Sequence, residues 1–132
     1  MTFSFIIPVI VVTILNVFLG MLWYSPLLFG PMWIKGHKFD NKRLKPTAGH
    51  YIGSILVYFI TALILAMLIT RFVLLAWDCG ALLAFYIWIG FVATTHFKGV
   101  IWAHRPFSVY CIDVAYYLVS LVMMGALLGA WL

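Results

Sequence analysis

Asp113 is the residue whose type and position most clearly suggest chemistry, because it is the one acidic residue well inside a hydrophobic stretch. A carboxylate about two helical turns inside a membrane costs about 2.5–3.5 kcal/mol on insertion scales, so we expect it to have polar partners. Tyr116 and Tyr117 offer hydroxyl groups at i+3 and i+4, and the long side chain of Arg105 could reach toward it. Asp113 therefore indicates either an ion, proton or small-solute site, or a hydrogen-bonded network that fixes helix packing.

Other polar residues are predicted at a similar depth. Asn16 lies about two turns before the end of the first hydrophobic stretch, and Thr95 and His96 close the third. We expect Asn16, Tyr24, Arg105 and Asp113 to converge, with at least one direct or water-bridged hydrogen bond to Asp113. The predicted polar intramembrane cluster comprises Asn16, Tyr24, Thr95, His96, Arg105, Asp113, Tyr116 and Tyr117.

Two histidines could bind a metal. His50 opens the second hydrophobic stretch and His96 closes the third, so the two side chains should lie at one level on antiparallel helices. A haem with two imidazole ligands is geometrically conceivable, but the spacing matches no metal motif, and no cofactor is predicted. The sequence also has no nucleophile–base pair, phosphate-binding loop or carboxylate dyad, so we do not expect an enzyme.

These residues must be positioned by membrane-spanning helices. The 132-residue chain is 67% hydrophobic and 8% charged, with a mean hydropathy of +1.17. We predict an all-α, integral membrane four-helix bundle that forms a single domain over residues 1–132, because spans joined by short loops pack as antiparallel neighbours. The predicted spans are about 3–24, 50–70, 79–97 and 106–132, with a basic loop at 25–49.

The distribution of charge predicts the orientation. Five of the eight Lys and Arg residues fall in the loop 25–49 and two more, Lys98 and Arg105, in the turn after the third span. Positive loops remain in the cytoplasm, so both termini should lie outside. We expect a multi-pass protein of the inner (plasma) membrane whose basic loop contacts lipid head groups rather than nucleic acid.

The chain that follows the first span should lie on the membrane surface. Trp23 and Tyr24 suit the head-group level, and Ser25 followed by Pro26 is typical of a helix start. We predict a short interfacial segment there; a re-entrant segment that lines a cavity is the alternative. Trp102 is predicted at the same interface in the second cytoplasmic turn.

Small and polar residues mark the helix faces that should point into the bundle. Thr13, Asn16 and Gly20 share one face of the first span, and Ser54, Tyr58 and Thr61 share one face of the second. Gly125 and Gly129 form a G-x-x-x-G pair in the fourth, which supports helix packing without specifying a dimer. Cys79 and Cys111 have no metal spacing and are interpreted as free thiols.

The segment GMLWYSPLLFGPMW resembles the signature of a family of small bacterial membrane proteins known as domain of unknown function 1761. The matching positions are Gly20, Trp23, Tyr24, Ser25, Pro26, Phe29, Gly30 and Trp33. The stretch from Trp102 to Trp131 is also similar to the family, although relatives are expected to have an Asn-Ala-Gly-Tyr-like run where this chain has Asp113 to Tyr116. The resemblance implies four spans and no known activity.

Three functions fit these observations. The first is a non-enzymatic membrane protein that acts as a homo-oligomer or as a subunit of a larger membrane complex, since the chain has many packing faces and no reaction centre. The second is a small oligomeric transporter or channel that uses the predicted cluster. The third is a haem- or metal-binding membrane protein.

Overall fold

The computed structural model describes residues 6–24, 32, 35 and 48–132, and all regular structure within them is helical. Four helices are long and apolar enough to cross a membrane, which confirms the predicted all-α membrane bundle. They are α1 (Ile6–Trp23), α2 (Ala48–Arg71), α3 (Trp77–Trp102) and α4 (Phe107–Trp131). The predicted interfacial segment and most of the basic loop lie outside the described residues.

The third helix is longer than the sequence indicated. The sequence predicts that the span ends at about Phe97 and that 98–105 form a turn, whereas α3 continues to Trp102. Hydropathy marks where a chain leaves the hydrocarbon region, not where its backbone hydrogen bonds stop. The turn begins at Ala103, whose N–H donates to the Gly99 carbonyl at 3.0 Å. His104 then adopts a φ of 54°, and Pro106 is the residue immediately before α4.

The connection between α2 and α3 is closed by its own backbone. The Leu74 N–H donates to the Ile69 carbonyl at 2.9 Å, and the Val73 N–H donates to the Thr70 carbonyl at 3.3 Å. This pair of bonds is a Schellman motif, which requires a left-handed residue after the helix. Val73 occupies that position with a φ of 57°, a conformation that is unfavourable for a β-branched side chain.

The bundle is built around α4, which contacts all three other helices. α1 and α2 pack together on one side of it, and α3 packs mainly against α4 alone. We call the end of the bundle where α1 and α3 finish, and where α2 and α4 begin, the loop end. The buried apolar core lies toward the opposite end and comprises Val9, Val12, Ala62, Leu65, Ala66, Ile69, Ala84, Leu121, Met124 and Leu128.

The crossing of α3 and α4 depends on glycine. A Cβ atom on Gly80 would clash with the backbone carbonyl of Gly125, and a Cβ atom on Gly125 would clash with that of Gly80 and lie 2.9 Å from the Ala84 Cβ atom. A Cβ atom on Gly129 would likewise meet the Ala76 carbonyl. Small residues permit such close approach of helices in lipid. The G-x-x-x-G pair of α4 therefore packs within this chain.

A π-helical turn interrupts α3 at Trp88–Val92. The Ala93 N–H donates to the Trp88 carbonyl, five residues earlier. The Trp88 indole N–H donates to the Val114 carbonyl of α4 at 2.9 Å and so anchors this turn to the central helix. Single π turns often occur at functional sites.

Candidate functional site

Tyr24 and Asp113 meet at the loop end of the bundle. The Tyr24 hydroxyl donates to Asp113 Oδ1 at 2.6 Å, a distance typical of a bond to a carboxylate. One residue earlier, the Trp23 indole N–H donates to the Ile112 carbonyl at 3.1 Å. The last residue of α1 and the residue after it therefore bind α4 next to the Asp113 carboxylate, which is half-buried.

Asn16 forms a second polar contact between α1 and α4. Its side chain is 1% exposed. The Ser120 hydroxyl donates to Asn16 Oδ1 at 2.5 Å, and the Tyr116 hydroxyl lies 3.4 Å from the same oxygen and 3.3 Å from the Asn16 backbone carbonyl. A buried amide oxygen requires such donors, because an unpaired polar group in hydrocarbon is costly.

Tyr116 connects these two contacts. It is buried, and its ring lies 5.5 Å from the Tyr24 ring and 6.4 Å from the Tyr58 ring, measured between centroids. A Cβ atom on Gly20 would lie 3.0 Å from the Tyr116 hydroxyl oxygen and 3.3 Å from that of Tyr58. The absence of a side chain at Gly20 thus makes room for the hydroxyl groups of α2 and α4.

A polar cavity of about 590 Å³ lies beside these contacts, between α2 and α3. It forms because these two helices scarcely touch each other, while α1 and α4 close its floor. Gly53, Ser54 and Val57 line it and are exposed, so it opens laterally toward the surroundings of the bundle. The lining comprises Asn16, Gly49, His50, Gly53, Ser54, Val57, Tyr58, Thr61, Val92, His96, Tyr117, Ser120, Leu121 and Met124.

The two histidines predicted at one level line this same cavity from α2 and α3. His96 Nδ1 is 2.8 Å from the Val92 carbonyl oxygen. A carbonyl can only accept, so Nδ1 carries the proton, and in the neutral ring Nε2 is an acceptor. The His96 ring also packs on Tyr117, with 5.0 Å between ring centroids.

The structure brings together some predicted residues and not others. Asn16, Tyr24, Asp113, Tyr116 and Tyr117 form one set of contacts between α1 and α4, and His96 joins it through Tyr117.

Two other predicted residues lie away from this set: Thr95 is exposed, and Trp102 is 77% exposed at the loop end. The Arg105 guanidinium packs over Gly99 and lies close enough to Tyr117 to interact with it electrostatically. Ser25, Pro26, Phe29, Gly30 and Trp33 lie outside the described residues.

Ser120 and Tyr58 belong to the site but not to the predicted cluster. Ser120 and Tyr58 each lie on a polar helix face, which was a usable signal. Of the described residues, no group of three or more His, Cys, Asp or Glu could hold a metal ion.

Four helices that are long and apolar enough to span a membrane define a multi-pass integral membrane protein. The chain belongs to the family described as "Protein of unknown function (DUF1761)", whose model matches residues 7–129. This confirms the resemblance seen in the Gly20–Trp33 signature. No curated protein and no solved structure matches the chain.

Proposed function

We propose that this protein is a non-catalytic membrane protein that binds a small solute in the polar cavity. The observation that carries the proposal is the cavity itself. Its volume of about 590 Å³ is within the range of small-molecule sites, roughly 300–1,000 Å³. Its wall combines imidazole, hydroxyl and amide groups with apolar side chains, and polar groups at membrane depth commonly mark solute sites.

Native mass spectrometry of the protein in mild detergent tests solute binding. Gly53 lines the cavity, and a Cβ atom there would meet nothing within 4 Å, so Gly53→Leu should fill the cavity without a backbone clash. We expect a bound small molecule in the wild type and its loss in Gly53→Leu. Gly90→Leu is the matched control, since Gly90 has equal space and does not line the cavity. A bound mass that both variants retain, or no bound mass in the wild type, would contradict the proposal.

Transport of the solute is a natural extension of binding. Four helices scarcely enclose a pore alone, so transport would require an oligomer. Flux into proteoliposomes, compared between the wild type and Asp113→Asn, tests this extension. Solute uptake that needs the intact carboxylate supports a transporter, and no uptake in either protein restricts the function to binding.

Assembly with further copies or other membrane subunits is favoured by the position of α3. This helix packs mainly against α4, so its other faces are available to a partner helix. The native mass of the protein and of whatever co-purifies with it in mild detergent measures this directly. A strictly monomeric species without partners would contradict assembly.

A haem site is a second candidate, favoured by one observation. His50 and His96 line the same cavity, and His96 donates its Nδ1 proton to a backbone carbonyl, as metal-bound histidines usually do. Protein purified from cells supplied with a haem precursor should then show a Soret band that His96→Ala removes and His104→Ala retains. A preparation without this band would exclude haem as the ligand.

A further inference from the structure

The polar cavity continues into a second, apolar space along the same seam between α2 and α3. This apolar groove has a volume of about 420 Å³ and is lined by Ile64 of α2 together with Ile87 and Phe91 of α3. Thr61 and Leu121 line both spaces, so the groove begins where the cavity ends. Along the seam, the polar cavity therefore lies toward the loop end and the apolar groove lies toward the middle of the bundle.

The polar cavity is suited to the neutral head group of an amphiphile. None of the described residues that line it is Lys, Arg, Asp or Glu, so with its two histidines neutral the described wall offers no charged partner to an ionic head. An ionic head without a partner would be expensive to bring to this depth. A neutral head needs only hydrogen bonds.

The wall also has hydrogen-bonding capacity of both kinds. Tyr117 makes ring contacts, but its hydroxyl makes no hydrogen bond within the described part of the chain, so it can donate. His96 Nε2 accepts when the ring is neutral, because the Nδ1 proton is used at Val92. A hydroxyl group, which both donates and accepts, satisfies the two residues together.

We propose that the seam binds a single-chain neutral amphiphile with a hydroxylated head, of the monoacylglycerol type. The head lies in the polar cavity, where it contacts His96 Nε2 and the Tyr117 hydroxyl at the edge of their packed rings, and the chain runs along the apolar groove past Ile64 and Phe91. This inference rests on the proposed solute binding and specifies its chemical class. The lateral opening at Gly53 and Ser54 would admit such a molecule from the bilayer.

Photolabelling in nanodiscs tests the proposal with two probes of equal chain length, a photoreactive monoacylglycerol and a photoreactive fatty acid. Labelled residues are mapped by mass spectrometry, and affinity is measured by competition with unlabelled lipid. We expect saturable monoacylglycerol labelling on α2 and α3 along the groove. Tyr117→Phe should weaken it about three- to tenfold, the effect of one hydrogen bond.

Two variants block the two spaces separately. Gly53→Leu should fill the polar cavity, and Ile64→Trp should obstruct the apolar groove. Each substitution should therefore abolish saturable labelling. Gly90→Leu and Tyr86→Phe are the controls, because both residues lie on α3 away from either space, and they should label as the wild type does.

The outcomes separate this inference from the proposed function. Saturable labelling by the fatty acid in preference, lost in Gly53→Leu, would overturn the neutral class and leave solute binding intact. Monoacylglycerol labelling that is insensitive to both Gly53→Leu and Ile64→Trp would overturn the placement along the seam. If neither probe labels the seam and no small molecule is lost from Gly53→Leu in native mass spectrometry, both proposals are overturned.

Discussion

The Asn16 side chain joins α1 to α4 by accepting hydrogen bonds while almost wholly buried. Asn16→Leu removes this acceptor and leaves the Ser120 hydroxyl facing an apolar side chain, while the Tyr116 hydroxyl keeps the backbone carbonyl of residue 16 as its acceptor. Hydrogen bonds between membrane helices contribute about 1–2 kcal/mol in model peptides, so we expect the free energy of unfolding to fall by about that amount. Steric trapping in bicelles measures it.

Thr94→Val is the matched control, since the exposed Thr94 hydroxyl donates to the Gly90 carbonyl of its own helix. It should change the free energy of unfolding by less than about 0.5 kcal/mol. The double variant Asn16→Leu/Ser120→Ala should lose less free energy of unfolding than the two single variants lose together, because neither Asn16 nor Ser120 is then left without its partner. Equal losses in Asn16→Leu and Thr94→Val would contradict a stabilising role for Asn16.

Because Tyr24 donates a hydrogen bond to Asp113, we expect two substitutions of Asp113 to have different effects. Asp113→Asn keeps a carbonyl oxygen for the Tyr24 hydroxyl and should be mild, whereas Asp113→Leu removes the acceptor. Hydrogen bonds to charged groups contribute about 1.5–3 kcal/mol, so Asp113→Leu should insert into membranes but unfold at a clearly lower temperature. Circular dichroism in detergent measures unfolding, and membrane fractionation measures insertion.

Tyr24→Phe provides the reciprocal test, because it removes the donor and leaves the carboxylate. It should lower the unfolding temperature in the same direction as Asp113→Leu. If Asp113→Leu were as stable as Asp113→Asn, the carboxylate would not hold α1 and α4 together.

At the scale of helices, the α3–α4 crossing has no space for a methyl group. Gly125→Ala places a Cβ atom against the Gly80 carbonyl and the Ala84 Cβ atom, so backbone must move. Overpacking of this kind costs about 1–3 kcal/mol, and we expect a loss of at least that size in the free energy of unfolding. Gly90→Ala is the control, because nothing lies within 4 Å of its Cβ position. Two equally stable alanine variants would show that the helices do not cross at this glycine.

A substitution in the connection between α2 and α3 should increase the stability of the protein. Val73 is 71% exposed, so it loses little packing on truncation, and its φ of 57° is a conformation that glycine adopts freely. Relief of the left-handed conformation should raise the free energy of unfolding by about 1 kcal/mol in Val73→Gly. Leu75→Gly, at a position without positive φ, should lower it instead. A loss of stability in both variants would contradict the left-handed assignment at Val73.

At the scale of the whole molecule, the charge pattern predicts which end faces the cytoplasm. In a variant with Cys79→Ser and Cys111→Ser, a cysteine introduced by Lys42→Cys should react with an impermeant maleimide only after the cells are permeabilised. A cysteine introduced by Val73→Cys should react on intact cells, since it follows α2 at the opposite end of the bundle. Labelling of Lys42→Cys on intact cells would show that the orientation is opposite to the predicted one.

Hydropathy is a property of short segments, so the amino-acid pattern alone was sufficient to predict four membrane-spanning helices. It also placed Asn16 and Asp113 at membrane depth and Tyr24 near the end of α1, because helix rise converts residue number into depth. It missed the end of α3, since Lys98 and Gly99 interrupt the hydrophobic pattern without interrupting the helix.

The partners of these residues could be found only from the packed helices. The tertiary structure pairs Asn16 with Ser120, pairs Asp113 with Tyr24, and places His50 and His96 on one cavity while Thr95 points away. The physical reason is that these contacts depend on how each helix is rotated and which helix is its neighbour. In lipid that arrangement follows from close packing, such as that of Gly80 against Gly125, and not from a pattern along any one span.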